Sequence, residues 1–292
     1  MTEQITGLIA QHLSKLLRAP TTIVSHQKLS GGSINQVYKV ITDKGNRYCC
    51  KLNLNHGYFQ MFEAEKAGLD LLRQSQTIKV PEVITVFTTE SHQVLVLEWI
   101  EPGTRSPRFW QRFGEQLSKL HQERGEAFGW KESNYMGALP QSNLPSSDWS
   151  QFFYAQRIHP QVQLALQKRL LTPSQSEPFE RLPAILPGLF PDASPRLVHG
   201  DLWSGNFLCT AEEQPVLIDP AAYYGHPAVD LAMTTLFGGF DKAFYESYSY
   251  YSPFSSNFRE QWDCCNLYPL MIHLNLFGKS YLGDILAILR RY

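Results

Sequence analysis

The feature that most constrains the fold is a change of pattern at residues 101–107, "EPGTRSP", where two prolines and a glycine interrupt the chain. Before it, short runs read as strands: "TTIVSHQKL", "INQVYKVIT" with the turn "DKGN", "RYCCKLNL" ending near Lys51, "PEVITVFTT" and "HQVLVLEWI". Two helices accompany them. One covers the first 17 residues, with Ile5, Leu8, Ile9, Leu13, Leu16 and Leu17 at helical spacing, and the other covers roughly 58–74. After the break, helical patterns dominate, over about 108–123, 149–170, 228–238 and 257–289. Short strands near 196–199, 206–210 and 215–218 interrupt them, and "YMGALPQSNLPSSD" reads as a long loop. The expected architecture is α+β and two-lobed: a sheet-rich lobe over 1–100 and a larger helical lobe over 101–292. A chain of 292 residues is long enough for both.

Four pieces of this chain ask for one explanation. Gly31-Gly32-Ser33 lies between two strands, where glycine lets backbone N–H groups cradle a phosphate; a plain Gly-Gly hairpin turn accounts for the same residues. Lys51 follows an apolar run and can hold phosphate oxygens, or can be a solvated strand end. Of Glu63 and Glu65, Glu65 shares its helix face with Leu69 and Leu72, which turns it toward the lobe's core and toward Lys51. The fourth piece is "LVHGDLWSGNFL", followed by "VLIDPAA". Asp201, Asn206 five positions on, and Asp219 beyond another strand stand at strand ends, where chemistry is usually sited. That is the arrangement of a kinase catalytic loop. One Asp accepts the proton of the attacking hydroxyl, the Asn binds a metal, and the second Asp binds the metals that bridge the nucleotide phosphates. Asp and Asn also make turns between strands, but the interval, the two-strand context and Asp219 together favour the kinase reading.

The departures narrow the class. "HGD" stands where protein kinases have "HRD", "DPA" where they have "DFG", and no "APE" follows. A small-molecule kinase on the same two-lobed plan is expected instead. At a net charge of -1 neither sign dominates, so nothing in the balance argues for nucleic acid or an anionic membrane, and neither is expected as partner. The five cysteines, odd in number and with four in adjacent pairs, suit thiols in a reducing, cytoplasmic setting. The nine histidines show no zinc-site spacing. The N-terminal helix reads as an amphipathic surface helix rather than a signal peptide.

"HGDLWSGN" together with "DPAAYYGHPAVDLAMTTLFGGF" resembles the fructosamine kinase (ketosamine-3-kinase) family, a protein-kinase-like family related to the aminoglycoside phosphotransferases. So do "LSGGSINQVYKV", "MFEAEKAGLDLL", "LVLEWI", "GALPQSNLPSSDWSQFFYAQRIHPQ" and "HLNLFGKSYL", so the resemblance runs nearly end to end. It implies an enzyme that uses ATP and Mg2+ to phosphorylate the C3 hydroxyl of a ketoamine, the sugar adduct of an amine or a protein lysine. The phosphorylated adduct then decomposes and frees the amine, which is deglycation.

On this resemblance Asp201 is the base or positions the sugar hydroxyl. Asn206 and Asp219 hold Mg2+, and Lys51, oriented by Glu65, binds the α- and β-phosphates. Gly31, Gly32, Ser33 and Asn35 cover the nucleotide phosphates. Glu98, Trp99 and Ile100 lie along the adenine. Trp203 either stacks on the sugar or simply packs. Asp230 is expected to brace the catalytic loop from a helix start, and His226 to be structural. A monomer or weak homodimer is expected. The rival readings are a kinase of another small alcohol, such as an aminoglycoside or choline, and a silent kinase fold used as a binding module.

Overall fold

The computed structural model describes residues 1–29, 34–54 and 58–292. Helix α1 (Glu3–Leu16) is capped by Thr2, whose Oγ1 accepts the Ile5 N–H at 3.4 Å. Strands β1 (Ile23–Lys28), β2 (Gln36–Thr42) and β3 (Arg47–Leu54) follow. Helix α2 (Met61–Gln74) then leads to β4 (Val83–Thr88) and β5 (His92–Glu98). The five strands form one antiparallel sheet in the order β1-β2-β3-β5-β4.

The two-residue period of a strand sorts the sheet's side chains between its faces. Cys50, Leu52, Val94 and Val96 pack with Ile5, Ile9 and Leu13 of α1. Leu95 and Leu97 point the other way, into a cluster with Phe62, Leu69 and Leu72 of α2. Lys51 pairs with Leu95 across the strands and therefore projects to the α2 face. It stands in the middle of β3, which continues to Leu54, and not at the strand's end as its sequence context had suggested.

Beyond residue 100 the chain forms α3 (Pro107–Leu120), the hairpin β6 (Asn134–Met136) and β7 (Leu139–Gln141), then α4 (Trp149–Phe153) and α5 (His159–Gln167), joined by a π-helical turn. Helices α6 (Pro173–Ser176) and α7 (Leu182–Leu189) precede strands β8 (Arg196–Val198), β9 (Phe207–Cys209), β10 (Pro215–Leu217) and β11 (Tyr223–Gly225). Helices α8 (Ala228–Leu236), α9 (Lys242–Tyr251), α10 (Phe258–Phe277) and α11 (Leu282–Leu289) complete it. Three expectations need correction. The hairpin β6–β7 occupies the start of the stretch read as loop. The helix expected over 257–289 stops at Gly278, whose φ of +95° no helix accommodates. Helices α6, α7 and α9 were not anticipated.

The apolar interior crosses the break at residue 101. Phe62, Leu69 and Leu72 share a cluster with Phe109, Phe113, Leu197, Phe207 and Leu217. Gly68 of α2 sits on Pro220; a Cβ there would lie 3.3 Å from its Cγ. A second large cluster holds α10 against α5, α8 and α11. Among the described residues, no helix is long and apolar enough to cross a membrane.

Candidate active site

Strand β8 ends at Val198 and delivers a tight loop. His199 is fully buried; its Nε2 donates to the Ile218 carbonyl at 2.9 Å, and its Nδ1 accepts the Asp201 N–H at 3.3 Å. Gly200 has φ +83°, and a Cβ there would lie 2.2 Å from the Ala221 carbonyl oxygen, so only glycine fits. Asn206 closes the loop: its Nδ2 donates to the Asp201 carbonyl at 2.8 Å and to Asp201 Oδ2 at 2.9 Å. The five-residue interval thus has a physical reason, because it returns the Asn amide onto the Asp that opens the turn.

Asp230, in the first turn of α8, holds this loop from behind. Its Oδ2 accepts the His199 N–H at 2.7 Å and its Oδ1 the Gly200 N–H at 2.8 Å. His121 Nε2 lies 3.1 Å from Oδ2, and His121 Nδ1 lies 2.8 Å from the Tyr248 hydroxyl. Burial works against the Asp230 charge, but His121 and the loop N–H groups outweigh it and hold its pKa below the usual range. His226 is wedged between Phe190 and Trp149, and burial pushes it down to about 4.

Asp219 follows β10 with φ +54°. Its Oδ1 accepts from Lys51 Nζ, and the same ammonium meets Glu65 Oε1 at 2.5 Å. Burial alone would lower the Lys51 pKa; the two carboxylates more than offset this and raise it. Burial pushes Glu65 up against the pull of Lys51. Burial also pushes Asp201 up to about 7; the Asn206 hydrogen bond opposes this, and the charges of Asp219 and Asp230 add to it.

These groups face one cleft of about 150 Å³, lined by Asn35, Glu65, Asp201, Trp203, Asn206 and Asp219 among others. Asn35 Oδ1 accepts from Asn53 Nδ2 at 2.8 Å. Lys51 reaches the same place through its two carboxylates. Trp203 lies over Gly205, where a Cβ would come within 2.4 Å of the indole, and its ring meets Phe237 edge-on at 6.1 Å. Gly31, Gly32 and Ser33 lie outside the described residues. Glu98, Trp99 and Ile100 do not line this cleft. Glu98 pairs with Lys79 at 2.7 Å, Trp99 carries the Lys39 ammonium over its ring, and Ile100 is buried.

Sequence reasoning missed the third wall, Asn134, Tyr135 and Gly137 of the β6–β7 hairpin. Asn134 Nδ2 donates to the Ala222 carbonyl at 2.9 Å, and Gln141 Nε2 to Asn134 Oδ1 at 2.8 Å, which fixes the hairpin to the segment after Asp219. The available signal was the glycine of "NYMGALPQ", with polar residues at both ends. A larger cavity of about 510 Å³ shares no lining residue with the cleft. The cleft is the candidate active site because the ionisable groups converge there.

The class follows from how these groups are mounted. A lysine on an antiparallel sheet, its carboxylate partner on the next helix, and two strand-end loops across the cleft make the plan of the protein-kinase-like phosphotransferases. A solved macrolide 2′-phosphotransferase from Brachybacterium faecium shares the fold, with a TM-score of 0.59 over 99% of both chains at 14% identity. More specifically, the chain matches the fructosamine kinase family over residues 5–292 and belongs to that family.

A probable ketoamine kinase of Synechocystis sp. is 41% identical over 274 residues, covering 94% of this chain and 92% of the relative. The ketosamine-3-kinase of Mus musculus is 33% identical, covering 89% and 92%. A solved structure from Thermobifida fusca, named a "putative fructosamine-3-kinase", superposes with a TM-score of 0.86 at 30% identity over 97% of each chain.

Proposed function

We propose that this protein is an ATP-dependent kinase of ketoamines, phosphorylating the C3 hydroxyl of a fructosamine- or ribulosamine-type adduct so that the adduct decomposes and the amine is freed. The observation that carries the reading is the convergence of Asp201, Asn206, Asp219 and the Lys51–Glu65 pair on one cleft. The names of the relatives supply the acceptor class.

A hydroxyl is a weak nucleophile, and phosphoryl transfer asks the protein mainly for alignment and charge neutralisation. Asp201, with its pKa raised to about 7, is a stronger base than an ordinary carboxylate and takes the hydroxyl proton. Asn206 keeps its carboxylate oriented. Lys51 exchanges its contact with Asp219 for phosphate oxygens while Glu65 holds it in place.

The donor set fits Mg2+, which prefers hard oxygens and takes few protein ligands beside phosphates and water. Asp219 has a half-exposed carboxylate, and Asn206 Oδ1 accepts no hydrogen bond among the described residues. Mg2+, when bound, would neutralise charge on the phosphates. Trp203, over a third exposed at the cleft, offers its face to the sugar or its amine-bearing carbon chain.

In this reading residues 1–100 form the nucleotide-binding lobe and 101–292 the catalytic and acceptor-binding lobe, with Gly31 to Asn35 over the phosphates and Glu98 to Ile100 along the adenine. Five free cysteines suit a cytoplasmic setting.

ATP consumption with Mg2+ against a ribulosamine, a fructosamine, kanamycin, choline and no acceptor tests the reading. Turnover on the ketoamines with phosphate on the C3 oxygen is the expected result. Turnover confined to kanamycin or choline would overturn the acceptor while leaving the catalytic loop in place.

A further inference from the structure

The larger cavity, about 510 Å³, lies in the helical half, in the size range of small-molecule sites. It opens where the end of α3, the 190–194 turn, the start of α8, the 252–257 turn and the start of α10 meet. Much of its wall is aromatic, from Phe190, Tyr248, Phe254 and Trp262. Phe254 stacks on Tyr248 at 5.7 Å and meets Trp262 edge-on at 5.2 Å, so the rings form one preassembled aromatic wall.

Two donors share this cavity. Arg196 donates from Nε to Ser194 Oγ at 3.2 Å and from one terminal nitrogen to the Gln122 carbonyl at 2.8 Å. Among the described residues, no carboxylate lies within 4 Å of its guanidinium. The like charge of Arg124 acts on it as well. His226 accepts the Ala228 N–H on Nδ1 at 3.2 Å, which leaves its proton on Nε2 with no acceptor among the described residues. Asp192 also lines the cavity, but it is exposed, so solvent and salt screen its charge.

An aromatic wall, a guanidinium with no carboxylate partner among the described residues and an imidazole N–H favour a negative charge on a ring-bearing body. We propose that this cavity is a binding site for a small aromatic monocarboxylate, held by its carboxylate at Arg196 and His226 and by its ring against the aromatic wall. The inference is independent of the acceptor assigned above. The site also adjoins the strut of the catalytic loop, since Tyr248 meets His121 and His121 meets Asp230.

Calorimetry on the full chain tests it with three probes of one shape: phenylacetate, 2-phenylethanol and phenethylamine. Phenylacetate is expected to bind saturably and at least about tenfold more tightly than the other two, the value of one charge-assisted hydrogen bond. Arg196→Gln should remove that preference, and Ala193→Trp, at the cavity wall, should remove binding. No saturable binding of phenylacetate at millimolar concentration would overturn the proposal. So would equal affinity for phenethylamine, or an unchanged preference in Arg196→Gln. The probe series on the unaltered chain decides the matter even if a variant fails to fold.

Discussion

Gly200→Ala puts the geometry of the catalytic loop to a quantitative test. The residue sits at φ +83°, and the added methyl would lie 2.2 Å from the Ala221 carbonyl oxygen and 2.9 Å from its carbon. Both are backbone atoms and cannot rotate away. The left-handed conformation costs an L-residue about 1–2 kcal/mol, and forcing a methyl into packed surroundings about 1–3 kcal/mol, so the loss should be about 2–5 kcal/mol. Relief requires the loop to move away from 221, which disturbs the Ala221 N–H bond to the His199 carbonyl at 3.0 Å and the grip of Asp230 on Gly200. Asp201 is the next residue, and a displacement of about 1 Å in a reacting group costs about a hundredfold in rate. Urea denaturation and steady-state turnover on one preparation would measure both effects. Gly7→Ala is the control: it lies in α1 with nothing within 4 Å of its Cβ position, and it should gain about 0.5–1 kcal/mol with turnover unchanged. A Gly200→Ala protein with unaltered stability and turnover would refute the reasoning.

Three further outcomes are expected. Asp201→Asn keeps an oxygen for the Asn206 amide but removes the proposed base, so turnover should fall by about 10²–10⁴ with the nucleotide KM nearly unchanged; wild-type turnover would refute the role. Asp230→Asn leaves buried N–H groups of His199 and Gly200 facing an amide that satisfies only one of them, and should cost about 3–5 kcal/mol in denaturant unfolding, whereas a loss below about 1 kcal/mol would deny the strut. His226 takes a proton near 6.5 when unfolded but only near 4 when folded, so its contribution is complete above 6.5 and is lost as pH falls toward 4. Between pH 7.5 and 5 the wild type should lose about 2 kcal/mol more than His226→Gln; parallel pH profiles would contradict this.

What could be read from the sequence divides along physical lines. The run "HQVLVLE" is apolar without alternation because β5 is buried on both faces, and such a run stands out. Asp201, Asn206 and Asp219 were legible because local backbone closure ties them to fixed intervals. The partner of Asp230 was not legible: His121 lies 109 residues away and nothing local marks it. The hairpin β6–β7 has strands of three residues, one with Pro140 at its centre, and depends on side-chain bonds from Asn134 and Gln141 rather than on a periodic core face. Helix α9, "KAFYESYSYY", is rich in aromatics that favour strands as readily; its packing on α3 decides the matter, and there a Cβ on Gly114 would come within 2.3 Å of the Phe244 carbonyl oxygen. Lys51 looked like a strand end because a charge usually marks one, and two distant carboxylates let it stand mid-strand instead.

The seating of α2 has a consequence for how such a molecule can be governed. The helix that carries Glu65 belongs in sequence to the first half of the chain, yet Gly68 rests on Pro220, and Phe62, Leu69 and Leu72 are buried among residues of both halves. Swinging it away would uncover three large side chains at about 1.5–3 kcal/mol each, or about 5–9 kcal/mol. At a factor of ten for every 1.4 kcal/mol, fewer than about one molecule in a thousand would stand in that posture at any instant. The helix is a fixed beam rather than a lever.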